Sequence, residues 1–200
     1  MSDKEMLTEI NGEMLAEAFS LEYRLEAVSA GNAVARLLTS RQWTERFDFN
    51  VEGHRVLIPA RLHFDYERLP LPDSDEAWLF ARALQTRSND GFERQRAALD
   101  LLADLRPWAA PFIVALIGEY IIEILDDISA ALTPENVHTL AVTIAENGAY
   151  WDTTKRRVAS YWNEYYRSNR SSETRRAYRR DEYIGFRIID QIEMAAFGRA

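Results

Sequence analysis

Residues 44–66 read TERFDFNVEGHRVLIPARLHFDY, and they decide the fold class because they carry the chain's one clear β signal. Thr44–Val51 and Arg55–Tyr66 are rich in β-branched and aromatic residues, which suit a pleated, half-buried surface. Glu52-Gly53-His54 supplies a short turn between them. Pro59 lacks a backbone N–H, so the second strand belongs at an edge or carries a bulge. A two-stranded ribbon is marginal alone and has to pack on helices.

The flanks on both sides read as helix. Ser2-x-x-Glu5 is a capping-box start, and Asn11-Gly12 would end that first helix. Between Glu13 and Ser29, Met14, Ala18, Leu21, Leu25 and Val28 recur at helical spacing. Leu21, Tyr23, Leu25 and Ala27 also alternate with Glu22, Arg24 and Glu26, a strand pattern. The flanking Gly12 and Gly31 and the length favour helix, with Asn32 capping a short helix through Leu38. Leu69-Pro70-Leu71-Pro72 is a stiff linker.

Beyond it the pattern is helical to the end. One helix opens at Asp73 and runs through Thr86, and a second spans Phe92–Leu105 with Leu99, Leu102 and Leu105 inward. A long third helix runs from Ala110 to Leu132. Thr133-Pro134 starts the next, as cap and first helical residue, and Asn147-Gly148 closes it. Asp152 caps a helix to Tyr166, and the last spans Glu182–Ala196. The sequence therefore predicts a mainly α protein of the α+β kind. It is a bundle of about six to eight helices with one antiparallel β-hairpin inserted near residues 44–66. Two hundred residues fit a single domain, 1–200, with a subdivision into 1–69 and 70–200 as the alternative.

Composition removes several classes of function. The chain has no cysteine, which excludes disulfides, thiolate metal sites and cysteine nucleophiles. The N-terminal stretch is acidic and amphipathic, unlike a secretory signal. The longest uncharged run, between Arg106 and Glu119, holds two prolines and falls short of the roughly 20 residues a spanning helix needs. These features point to a cytoplasmic protein that does not enter a membrane. A net charge of −8 argues against a general nucleic-acid coat protein. No G-x-S-x-G elbow, phosphate-binding loop, G-x-G-x-x-G, H-E-x-x-H or EF-hand loop occurs, and no cofactor is implied.

Charge is distributed unevenly. Residues 155–180 hold Lys155, Arg156, Arg157, Arg167, Arg170, Arg175, Arg176, Arg179 and Arg180 against only Glu164 and Glu173. Tyr161, Trp162, Tyr165, Tyr166 and Tyr178 lie among them. Basic residues neutralise phosphates and aromatic rings stack on unpaired bases, so the region could bind single-stranded nucleic acid or another polyanion. Lys155–Arg157 would also fall in the first turns of their helix, where the macrodipole disfavours positive charge. The competing reading pairs these charges with the protein's own acidic body. It also turns Val158, Tyr161, Trp162 and Tyr165 into a core face. The 22 arginines against two lysines reflect a coding bias that lowers the information in any single arginine.

Two further candidates follow from helix patterning. Glu119, Glu123, Asp126 and Asp127 fall on one face of the 110–132 helix. Glu119, Glu123 and Asp126 would be the ligands of a metal-assisted enzyme. A di-iron bundle would need a Glu-x-x-His pair on such helices, and none is expected in the chain. Ile117, Ile121, Ile124, Leu125 and Ile128 make the opposite face of the 110–132 helix apolar, as in an ordinary amphipathic helix whose acids pair with Arg156 or Arg157. The final helix, with Ile184, Ile188, Ile192 and Ala195 and with Phe186, Ile189 and Ala196 nearby, either completes the core or meets a second copy in a homodimer. A non-enzymatic interaction or regulatory protein with a protein partner fits these features first. Single-stranded nucleic-acid binding comes second and metal-assisted catalysis third.

Overall fold

The computed structural model describes residues 10–39, 42, 45–65, 75–168 and 177–198. Among these are nine α-helices and one two-stranded antiparallel sheet, the mainly α architecture with an inserted hairpin that the sequence predicts. The chain forms two compact units, Met1–Phe112 and Ile113–Ala200. The expected capping box at Ser2–Glu5, the 69–72 linker and the 69/70 boundary lie outside the described residues.

In the first unit, residues 13–29 are helical, but not as one rod. The helix that Asn11-Gly12 is expected to end lies outside the described residues, and Gly12 opens a new one behind Asn11. The Asn11 side chain accepts from the Met14 N–H and so starts α1, Gly12–Ala16. A single 3₁₀ turn, Leu21–Tyr23, leads into α2, Arg24–Ala35. Asn32 lies inside α2 and caps nothing. Gly12 and Gly31 are the reason: a Cβ on Gly31 would stand 2.3 Å from the Gly12 carbonyl oxygen. The two backbones touch there, so α2 runs through the glycine instead of stopping at it.

The hairpin consists of β1, Arg46–Val51, and β2, His54–Pro59, paired from Arg46↔Pro59 to Val51↔His54. Its loop is two residues long, shorter than expected. Glu52 and Gly53 have φ of 50° and 83°, the pattern of a type I′ turn, whose twist matches the strands. Phe49, Val51, Val56 and Ile58 are buried while Asp48 and Asn50 face solvent, so one face of the ribbon is core. Glu52 holds a backbone conformation that favours Asn or Gly. Glu52→Asn should therefore stabilise the protein by about 0.5–1 kcal/mol, read as a rise in the denaturant midpoint at unchanged slope.

The second strand ends at Pro59, short of the expected Tyr66. Past the proline the chain leaves the ladder and pairs with two other segments in turn. The Thr39 N–H donates to the His63 carbonyl and the Asp65 N–H to the Leu37 carbonyl. On the other side the Leu62 N–H donates to the Arg87 carbonyl and the Asn89 N–H to the Leu62 carbonyl. The buried Gln42 side chain joins in, donating to the His63 carbonyl at 2.9 Å and accepting its N–H at 2.7 Å.

α3, Asp75–Gln85, packs on α2, and α4, Gly91–Leu102, packs on α3. Asp90 caps α4 by accepting from the Phe92 and Glu93 N–H groups. Leu102 and Leu105 are buried as expected, together with Leu101, whereas Leu99 faces solvent. Phe19, Tyr23, Phe80, Trp108 and Phe112 form an aromatic core with ring separations of 4.3–6.5 Å.

The long helix expected over 110–132 is two helices, α5, Ala110–Ile117, and α6, Ile122–Ala130. The chain turns between them at Gly118–Ile121. In the second unit α7, Pro134–Glu146, starts where the Thr133 side chain accepts from the Asn136 N–H. Asn147 closes α7 and caps α8, Gly148–Tyr161, five residues before the expected cap at Asp152. A π-helical turn, Trp162–Tyr166, continues α8, and α9, Ile184–Phe197, packs on α6, α7 and α8. Phe186, Ile188, Ile189 and Ile192 are buried, so this part of the last helix's apolar face is core, whereas Ala195 in its last turn is exposed. Among the described residues, no helix is long and apolar enough to cross a membrane.

Candidate interaction surface

α8 is held in place by its inner side. Trp151 is 2% exposed, and its indole N–H donates to Glu193 of α9 at 2.8 Å. Lys155 donates to the same carboxylate oxygen at 2.8 Å and lies 3.2 Å from Asp152. The hydrogen bond to Glu193, with Asp152 assisting, raises the Lys155 pKa above its ordinary 10.5. The resulting stability is present at neutral pH and fades as pH climbs past 10.5 through the raised value. Because the ammonium is partly exposed, solvent screens this share. Glu193→Ala leaves the buried indole N–H without its acceptor, and about 2 kcal/mol of stability should be lost. Glu193→Gln keeps an acceptor and should lose under about 1 kcal/mol, a difference from wild type that narrows above pH 10.5. Urea titrations of the three proteins at pH 7 and pH 11 check both statements.

The early start of α8 removes one argument for a bound anion. Lys155, Arg156 and Arg157 sit past the helix's midpoint, not in its first turns, so the macrodipole does not oppose them. Arg156 is exposed and donates to the Thr153 hydroxyl at 2.8 Å. Arg157 lays its stem beside Gly118, where a Cβ would stand 3.4 Å from its Cδ. Arg167 donates to Asn163 at 2.9 Å and lies over the Trp162 ring at 5.8 Å. Arg179 meets Asp181 through two 3.1 Å hydrogen bonds, and Arg180 lies 4.6 Å over Phe186. Arg170, Arg175 and Arg176 lie outside the described residues.

The π-helical turn decides which aromatic rings face outward. Its extra residue closes with the Arg167 N–H donating to the Trp162 carbonyl at 2.8 Å and shifts the register by one. Val158 remains buried, but Tyr166 takes the inward place that an uninterrupted α-helix would give Tyr165. Tyr166 stacks on Tyr183 at 5.1 Å, and its hydroxyl donates to the Tyr120 carbonyl at 2.5 Å. Burial, with Tyr166 adding, pushes the Tyr183 phenol pKa well up. The Tyr178 N–H donates to the Tyr166 carbonyl at 2.8 Å, and the Trp162 indole donates to the Tyr178 carbonyl at 3.0 Å. The expected core face of Val158, Tyr161, Trp162 and Tyr165 is thus split between interior and surface.

What remains outside is a cluster of three tyrosines. Tyr120 is 50% exposed and Tyr165 38% exposed, with Tyr161 half-buried between them. Tyr120 lies 5.8 Å from both Tyr161 and Tyr165, and those two are 6.1 Å apart with rings inclined by 27°. Tyr120 belongs to the connection between α5 and α6, and its carbonyl is held by Tyr166. The backbone beneath the cluster is therefore fixed before anything binds. No protein-family model, no curated protein and no solved structure matches the chain.

The carboxylates do not gather in the way helix periodicity suggests. Glu119 is buried in the connection after α5, whereas Glu123 and Asp126 ride on α6 and face solvent. Partial burial, then the charges of Glu123 and Asp127, raise the Asp126 pKa. Contrary to the expectation that the chain has no Glu-x-x-His pair, one occurs on α7 as Glu135 and His138, both exposed. Among the described residues, no group of three or more His, Asp or Glu side chains is placed to hold a metal ion.

Proposed function

We propose that the chain is a non-enzymatic binding protein that holds a protein partner against the Tyr120–Tyr161–Tyr165 surface. The observation that carries this reading is the cluster itself: three rings in mutual contact, with open faces and a braced backbone. Tyrosine supplies a large contact area with little rotamer entropy to lose and a hydroxyl at its tip, which is why it dominates interface anchors. The neighbouring cations support a protein partner over a polyanion, because Lys155 and Arg179 already face carboxylates. A cytoplasmic setting belongs to the same proposal and is supported by a chain that uses no cysteine.

The test is differential capture followed by reconstitution. The wild-type chain and a Tyr120→Ser/Tyr165→Ser variant are used as baits. Any protein retained only by the wild type is then purified and its affinity measured directly. A reconstituted partner whose affinity drops at least about a hundredfold in the variant supports the proposal. Baits that retain the same set would sink it.

Single-stranded nucleic acid is the second reading. Arg156 and Arg167 flank the tyrosines and donate to neutral groups, a hydroxyl and an amide, so their charge is not spent on those bonds. Salt-sensitive anisotropy of short labelled strands, lost in Arg156→Gln/Arg167→Gln and in the tyrosine variant, would favour this reading instead.

A further inference from the structure

We infer that the tyrosine surface is also a site of oxidative cross-linking, where a one-electron oxidant joins Tyr120 to Tyr165 through a carbon–carbon bond. The inference goes beyond the partner reading and depends on no partner. Its first support is compositional. The chain has no cysteine, so the thiol that oxidants usually consume first is missing. Oxidation falls instead on methionine, tryptophan and tyrosine.

The second support is the contact between rings. Of the nine tyrosines, Tyr120, Tyr161, Tyr165, Tyr166, Tyr178 and Tyr183 form one array with neighbouring ring centroids 5.1–6.5 Å apart. An electron vacancy passes readily between aromatic rings in contact, so oxidation at one member is shared with the others. It comes to rest where the phenol can also lose its proton. Tyr183 is 0% exposed, and its hydroxyl meets no acceptor among the described residues. Burial pushes its pKa well up, so it keeps its proton. The Tyr166 hydroxyl donates to the Tyr120 carbonyl, an acceptor too weakly basic to take the proton away. Tyr120 and Tyr165 are open to water, and the array drains outward to them.

Geometry then selects the pair. The Tyr120 and Tyr165 rings lie 5.8 Å apart on separate elements, the α5–α6 connection and the π-helical turn. Side-chain rotation alone can bring their ring carbons together. Tyr161 is half-buried and shares one helical stretch with Tyr165, so it has less room to turn. Each phenol gives one electron to the oxidant and one proton to water. The two radicals join at ring carbons ortho to oxygen, and each of these carbons then passes its hydrogen to the ring oxygen. Two phenols are restored, two hydrogens have been lost and two equivalents of oxidant have been reduced. The bond closes a loop that contains all of α6, α7 and α8, which restricts the unfolded chain much as a disulfide does.

The experiment exposes the dilute full chain to photo-excited ruthenium tris-bipyridine with persulfate, dosed to no more than two oxidising equivalents per chain. The expected result is a monomer lighter by two hydrogens, with the blue fluorescence of dityrosine. Peptide mapping should place the bond between Tyr120 and Tyr165, and the purified cross-linked form should have a raised urea midpoint. Tyr120→Phe and Tyr165→Phe, which keep the rings and remove the phenols, should each lose the product. Tyr161→Phe should retain it. Oxidation confined to methionine and tryptophan overturns the inference, as does a product made only of linked dimers or a bond mapped to any other pair. A mapped bond that leaves the midpoint unraised also overturns it, because the oxidant would then have trapped a distorted chain. None of these outcomes bears on the capture experiment, which reads partner binding by the unoxidised surface.

Discussion

Phe80→Ala is expected to cost about 4 kcal/mol, the largest loss of any single truncation considered for this protein. Phe80 is 0% exposed. The Trp108 ring meets it edge-on at 4.3 Å, Phe19 lies at 4.5 Å and Tyr23 at 5.4 Å. Removing the ring forfeits its transfer free energy and leaves a cavity walled by rigid aromatics, which collapse poorly. Each lost edge-to-face contact adds about 0.5–1.5 kcal/mol beyond the buried area. Against a typical total of about 5–15 kcal/mol, such a change approaches unfolding. Phe92→Ala is the matched control. Phe92 is 76% exposed on the first turn of α4, and its loss should stay within about 0.5 kcal/mol. Urea titrations followed by circular dichroism give both values. A Phe80→Ala loss under about 1 kcal/mol would contradict the core as described.

The elements that the sequence places well are those whose signals are local. The hairpin follows from its residue types, α7 from the Thr133 cap one residue before its first turn, and α9 from a dense apolar face. The errors have physical causes that no local signal carries. Asn147-Gly148 closes α7 as expected, but Gly148 has no positive φ and the chain passes straight into α8, ahead of the expected cap at Asp152. The isoleucine periodicity of 117–128 continues unbroken across Gly118–Ile121, so the turn that separates α5 from α6 leaves no trace in the hydrophobic pattern. That turn carries Tyr120, the member of the surface cluster that sequence reading missed. Gly118, set beside Arg157 and Thr154, is the residue that could have drawn attention to the break.

The candidate site was half legible for a related reason. Composition identifies residues 155–180 as basic and aromatic, but it cannot say which rings point outward. One inserted residue in the π-helical turn exchanges Tyr165 and Tyr166 between surface and interior. The arginine excess, read as a coding bias, also hides structural roles. Arg87 is 2% exposed and donates to the carbonyls of Pro59 and Ala60. Arg94 is 3% exposed and donates to those of Ser88 and Asn89. Arg87 ties down the backbone that leaves the hairpin and Arg94 the turn ahead of α4, work a five-donor guanidinium does better than an ammonium.

Gly31→Ala is expected to destabilise the protein by about 3 kcal/mol, although helix propensity alone predicts the opposite sign. Inside α2 an alanine should be favoured over glycine by about 0.5–1 kcal/mol. The new methyl would lie 2.3 Å from the Gly12 carbonyl oxygen and 3.1 Å from the Gly12 Cα. These are backbone atoms of a short helix, so no flexible side chain can yield. Relief requires α1 to move off α2. The converse contact is as close, since a Cβ on Gly12 would stand 2.6 Å from the Asn32 nitrogen. Overpacking of this kind costs about 1–3 kcal/mol when side chains can adjust, and here the top of that range is expected because they cannot. Gly148→Ala separates the two effects. Its Cβ would meet nothing within 4 Å and its backbone needs no positive φ, so propensity acts alone and should stabilise by about 0.5 kcal/mol. Opposite signs for the two substitutions, read from urea midpoints at unchanged slopes, establish that α1 and α2 are held by backbone contact at a glycine pair. The same sign for both would mean that the contact yields freely and that Gly31 has no packing role.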